Sequence, residues 1–267
     1  MIYDIRSSND ALKTLINLTH VPMEIWMRYL SEINKYEYID NMVEEVVDLY
    51  GEMPQSYEDW DFTYFHITTS RNICKNFRKY GILDLRQAYL CEESELREFL
   101  DQADIHIDIE KSLLTYKNKA YDISYSSIAC PRRGTLEYDC WSIGRKFYFD
   151  FTTCGFLSVS KKYPYDGDVH RRPEILMDID NLLKLNLSKE WERSSRAYEV
   201  VARVKGCDVV YPYDEIDSNR ERVLCYLTKA FDTAFDSPRE EIVLLKNNAY
   251  IKPSDVLEIN QLNYWIK

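Results

Sequence analysis

The spacing of apolar positions changes character near residue 60. Before it, apolar side chains recur at helical intervals. In "SNDALKTLINLTH", Leu12, Leu15, Ile16 and Leu18 follow capping residues at helical spacing, which predicts a helix. "VPMEIWMRYLSEI" places Pro22 near a helix start, where its missing N–H costs nothing, and "IDNMVEEVVDLY" carries the helical pattern to residue 50. The turn-rich "GEMPQSYEDWD" then predicts a boundary near residue 60. After it, "FTYFHIT" reads as a strand, "SRNICKNFRKYGI" as a helix stopped at Gly81, "CEESELREFLDQAD" as a second helix, and "IHIDIE" as a strand. "CPRRGT" is a turn. "YDCWSIGRKFYFDFTTCGFLSVS" is rich in aromatic and β-branched residues and predicts strands, with Gly144 at a hairpin turn. "RPEILMDIDNLLKL" reads as a proline-led helix, "AYEVVARV" as a strand and "SNRERVLCYLTKAFDTAF" as a helix. "EEIVLLKNNAYIKPSDVLEI" gives a strand, a turn at Asn247 and Asn248, and another strand. The expected architecture is α+β: a helical, acidic N-terminal region over residues 1–60, then a strand-rich body with inserted helices over 61–267. No internal repeat or low-complexity segment occurs.

Composition narrows the class. The chain has 267 residues, 45% of them apolar and 30% charged, enough for one large domain or a domain with an appendage. No apolar run is long enough to span a bilayer and no signal-peptide pattern opens the sequence, so a cytoplasmic protein is expected. Seven cysteines, an odd number without a CxxC, read as reduced thiols, most of them expected to be small buried apolar residues. The net charge is −11, and nine acids between Glu37 and Asp61, with no Lys or Arg among them, leave −2 for the remainder. The plain reading of that segment is a solvated helix face. The sharper one is a docking surface for a basic partner, or a decoy of nucleic acid.

Several chemistries are disfavoured by what is missing. Seven glycines form no GxG and no GxxxxGK, which argues against a Rossmann dehydrogenase and a P-loop NTPase, and no GxSxG elbow appears. His106, Asp108 and Glu110 alternate along one strand, but no second His-rich segment joins them. A polar strand edge is the expectation, with no metal. His20 and His170 stand alone and read as surface or core residues.

Three segments then align. "FHIT" carries His66, Ile67 and Thr68 on a strand feeding a helix. "GFLSVSKKY" carries Ser158, Ser160 and Tyr163. "REEIVLL" carries Glu240 and Glu241 at the start of a late strand. In order and spacing these resemble the ADP-ribosyltransferase superfamily, in the branch with a His–Tyr–Glu triad. That branch includes the poly(ADP-ribose) polymerases and, more loosely, bacterial toxins that ADP-ribosylate DNA. "FHITTSRNI…YGI" is similar to the opening of those toxins through His66, Thr68, Asn72 and Gly81. "YEVVARVKG" resembles the strand before the catalytic one. The likeness covers roughly residues 60 to 265, with unmatched insertions, among them "PYDGDVHRRPEILMDIDNLL".

The resemblance implies a split-sheet ADP-ribosyltransferase-like fold and NAD as substrate. It implies His66, Tyr163 and a glutamate as the catalytic triad, and His66, Ile67, Thr68, Asn72, Ser158, Ser160 and Tyr163 as the NAD-binding set. The "E-x-I-V" register favours Glu240 over Glu241, since neighbouring strand residues face opposite sides, and Glu199 is a rival at the start of an earlier strand. Arg71, Arg132, Arg133 and Arg145 are candidates for the NAD phosphates. The implied activity is transfer of ADP-ribose to a macromolecular acceptor, protein or nucleic acid, by a microbial toxin, effector or antiphage factor. The alternatives are an NAD glycohydrolase on the same site and an inactive scaffold acting through the acidic segment. The chemistry fits these residue types. Cleaving the NAD glycosidic bond builds positive charge on the ribose, which a carboxylate stabilises. An imidazole can hydrogen-bond ribose hydroxyls, and a tyrosine offers a flat face to nicotinamide.

Overall fold

The computed structural model describes residues 1–125, 129–160, 167–213 and 215–262. In chain order, β1 (Ile2–Tyr3) leads to α1 (Ser8–Thr19), α2 (Met23–Leu30) and α3 (Ile39–Tyr50), and then to β2 (Asp61–Ser70). Three short helices follow, α4 (Lys75–Tyr80), α5 (Leu85–Leu90) and α6 (Glu95–Gln102), before β3 (Ile105–Asp108), β4 (Leu113–Tyr116) and β5 (Lys119–Asp122). Next come α7 (Leu136–Tyr148), β6 (Cys154–Ser158), α8 (Ile175–Leu183), α9 (Leu187–Ser194), β7 (Arg196–Lys205) and β8 (Val209–Tyr211). The described chain closes with α10 (Asn219–Phe235), β9 (Glu241–Leu245) and β10 (Val256–Gln261). The fold is α+β. Several helix starts carry the side chain their free amides need: Ser7, Asp84, Ser94, Thr135 and Ser218 each accept from a backbone N–H of the first turn.

The chain forms two compact units. The first comprises Met1–His66, Cys154–Asp166 and Val201–Lys246, and the second Ile67–Thr153, Gly167–Val200 and Asn247–Lys267. The expected boundary near residue 60 is therefore not a division between units, because the N-terminal helices share a unit with strands. Here α1 and α3 pack on α10, and α2 packs on α3. In the first unit the strand order is β7-β2-β6-β9-β8, with β1 parallel to β2. β6 runs antiparallel to both β2 and β9. The reason for the shared unit is aromatic. Tyr3 of β1, Trp60, Phe62 and Tyr226 of α10 form one buried cluster, and the Tyr3 hydroxyl donates to the Tyr226 carbonyl at 2.9 Å. The acids of 37–61 sit mainly on the solvent side of α3 and the following connector, while Met42, Val43, Val46 and Val47 face inward. Arg220 pairs with Glu44 and Asp48, and Lys205 with Asp61.

The second unit has its own core, in which Tyr89, Phe99, Ile107, Leu114, Ile143, Phe147, Ile179 and Trp191 are buried together. Its meander β3-β4-β5 turns at Lys117 and Asn118, both at positive φ (47° and 64°), as a two-residue hairpin requires. Residues 136–148 form helix α7, not the strand and hairpin turn expected around Gly144. Cys140, Ile143, Gly144 and Phe147 make one buried helical face, behind a Thr135 cap with acids in the first turn and bases in the last. Gly144 lies inside the helix because the Ile123 carbonyl oxygen would stand 2.1 Å from an added Cβ. The helix after β2 also begins later than expected, at Lys75. Ile73 and Cys74 both adopt left-handed backbone, and the Ser70 hydroxyl accepts from the Asn72 and Cys74 amides. Gly81 ends α4 as expected, at φ 78°. The cysteines are unpaired with one another, but only Cys74 and Cys140 are buried. Cys130, Cys154 and Cys207 are exposed, against the expectation that most would be core residues.

Candidate functional site

The three aligned segments supply residues to adjacent strands of the first unit. His66 lies on β2, Ser158 ends the neighbouring β6, and Glu241 begins β9 on its far side. The register pairs Phe65 with Phe156, Phe156 with Ile242, and Ser158 with Glu241, with an irregularity between Phe156 and Ser158. The Phe65 and Phe156 rings stack at 5.6 Å, which puts both on one face, together with Ile242. Alternation then places Tyr64, His66, Glu241 and Val243 on the opposite face. Packing agrees, since Phe62 of that face meets Tyr226 of α10, and Tyr226 meets Tyr213, the hydrogen-bond partner of Glu241.

Two groups on that face are held by named partners. The half-buried His66 ring places Nδ1 2.8 Å from the Cys154 carbonyl oxygen, which also accepts from the Tyr64 hydroxyl at 3.0 Å. Nδ1–H donation to a carbonyl fixes the tautomer with its lone pair on Nε2. Burial pushes the imidazole below its usual pKa, with the Cys154 carbonyl acting in the opposite direction, so the ring is neutral near pH 7. Gly155 lets β6 pass this close: an added Cβ would lie 2.3 Å from the Tyr64 ring.

Glu241 is 7% exposed. Its Oε1 accepts from the Tyr213 hydroxyl at 3.0 Å, and its Oε2 lies 2.8 Å from Lys229 Nζ on α10. An unpaired buried carboxylate would be strongly destabilising, and these two donors are its compensation. Burial first, then the Glu241 charge, pushes the Tyr213 phenol far above its usual range, so it stays protonated and donates.

The remaining sequence candidates are placed as follows. Ser158 is buried, and its hydroxyl donates to the Arg239 carbonyl at 2.6 Å, which leaves it acceptor capacity. Ser160 is half-buried just past β6. Tyr163 lies outside the described residues. Glu240 is exposed and precedes β9, so the strand starts one residue later than the register favouring Glu240 assumes. In the second unit, Ile67 is buried and Thr68 half-buried. Asn72 Oδ1 accepts from Ser70 Oγ at 3.3 Å and the Lys75 amide at 3.1 Å, capping the turn into α4. Arg71 lies over the Phe99 and Trp191 rings, Arg145 over Trp141 and Phe149, Arg132 and Arg133 are exposed, and Glu199 is half-buried on β7.

His106 pairs with Asp101 and Asp108 with Lys111, while Glu110 falls beyond β3. Among the described residues, no group of His, Cys, Asp and Glu could hold a metal ion, and no helix is long and apolar enough to cross a membrane. Tyr213 and Lys229 were not legible in the sequence: Tyr213 is one of 22 tyrosines, and Lys229 lies within α10, separated from the strand it serves by the end of the helix and a connector. No protein-family model matches the chain, and no curated protein or solved structure matches it significantly.

Proposed function

We propose that the chain is a mono-ADP-ribosyltransferase with an ADP-ribosyltransferase-like sheet, cleaving NAD and passing ADP-ribose to a macromolecular acceptor. The observation that carries this reading is the placement of His66 and Glu241 on one face of the sheet, with only the Ser158 strand between them. Three segments singled out by resemblance, far apart in sequence, lie on neighbouring strands. Of the acidic pair, Glu241 is the better candidate, because strand alternation puts it on the His66 face and its own two oxygens are held by Tyr213 and Lys229.

In this reading the bond from ribose C1′ to the nicotinamide nitrogen breaks, and nicotinamide leaves with the electron pair. The acceptor nucleophile bonds to C1′ and loses its proton. The Glu241 carboxylate stabilises the positive charge that builds on the ribose. An ionised carboxylate offers about four acceptor positions, and Tyr213 and Lys229 use two of them, so ribose hydroxyls can still donate to it. His66 would engage the other ribose through Nε2. Tyr163 is the proposed nicotinamide-facing ring, and Ser158 and Ser160 are part of the proposed NAD-binding set.

The test is incubation with labelled NAD and total cell extract, following nicotinamide release and label transfer together. Label on a macromolecule is the expected result. Nicotinamide release without transfer would replace the transferase by a glycohydrolase, and no release with no NAD binding would refute the reading.

A further inference from the structure

We propose that Lys229 is a positioning residue for Glu241: its ammonium holds the carboxylate in place at the start of β9, where the ribose cation would form. This rests on the reading of Glu241 as the NAD-cleaving carboxylate. The geometry is independent of that reading. Lys229 Nζ lies 2.8 Å from Oε2 while Tyr213 holds Oε1, so the carboxylate plane is fixed from two sides.

The charged and titratable groups facing Glu241 come from several elements. Tyr3 comes from β1, Tyr213 from the segment before α10, and Cys225, Tyr226, Lys229 and Asp232 from α10 itself. Of these, Lys229 alone is cationic. Each of the phenols is pushed upward by burial and by the Glu241 charge, so they remain neutral donors and contribute no compensating charge. Asp232 adds a second negative group. Burial pushes its carboxyl up, Lys229 is the first influence pulling it down, and Glu241 pushes it up again. Lys229 thus ties the Glu241 carboxylate at Oε2 while Tyr213 ties it at Oε1, and removing the ammonium releases one of these two ties. A carboxylate displaced from the ribose stabilises its developing charge less.

The experiment is steady-state nicotinamide release, resolved into kcat and KM, for the full chain and for Lys229→Gln, Lys229→Met and Lys229→Arg. Lys229→Gln and Lys229→Met should lose about tenfold in kcat with KM little changed, because the tie is needed most in the transition state. Lys229→Arg, which can still pair with Oε2, should recover most of that loss. Thermal melting of each variant separates this effect from unfolding, and Lys229→Gln carries the test if Lys229→Met does not fold. An unchanged kcat in a folded Lys229→Gln overturns the positioning role while leaving the NAD reading intact. Absence of nicotinamide release by the unaltered chain overturns both.

Discussion

A neutral imidazole and a buried carboxylate lie on one face of the sheet, with one strand between them. For His66 one neighbour is the Cys154 carbonyl, which ties the ring's orientation to the β2–β6 pairing. Its lowered pKa has a consequence for stability. The unfolded ring binds a proton below its ordinary value of about 6.5, while the folded ring resists it. The stability this group contributes is therefore complete above that pH and is lost as pH falls through about 6.5 toward the folded value. Melting curves between pH 8 and 5 should fall more steeply for the unaltered chain than for His66→Gln, and parallel curves would contradict it. The mid-strand position of His66, ahead of a helix, was legible in the sequence. The choice within the acidic pair was not. It depends on β9 beginning at Glu241, and that start is set by the Ser158–Arg239 tie and by pairing across β6, long-range contacts that local spacing does not encode.

At the scale of elements, α7 is where local propensity and final structure part. Its aromatic and β-branched residues favour a strand, and a glycine among them suggests a turn. The helical face of Cys140, Ile143 and Phe147 buried in the second unit's core outweighs that preference. Glycine at 144 then reflects a backbone neighbour and not a bend. Gly144→Ala, normally favourable inside a helix, should destabilise the protein by about 1–3 kcal/mol, because the new methyl group meets the Ile123 carbonyl. Denaturant unfolding measures this, and a stabilised variant would refute the close approach. The helices of the N-terminal region, by contrast, were readable because apolar spacing and solvent face agree, and in α1 the Ser7 cap agrees as well.

For the whole molecule, the helical front end was visible in the sequence but its membership was not. The change of pattern near residue 60 suggested an appendage, whereas the buried ring cluster joins Tyr3 to Phe62 and Tyr226 across more than two hundred residues. A chain starting at residue 61 loses β1, α1 and the α1–α10 packing, so it should fail to give a cooperative thermal transition by circular dichroism. A sharp transition close to that of the full chain would show the front end to be dispensable. The acidic segment is largely solvent-facing and partly tied down by Arg220 and Lys205. The central claim is that Glu241 and His66 together form an NAD-cleaving site. The most direct measurement is the rate of nicotinamide release from NAD by the full chain, by Glu241→Gln and by Glu240→Gln, with melting temperatures recorded alongside. The expected result is release by the full chain, a loss of about 100-fold or more in Glu241→Gln, and a rate near the original in Glu240→Gln. No release by the full chain, or full activity in a folded Glu241→Gln variant, would contradict it.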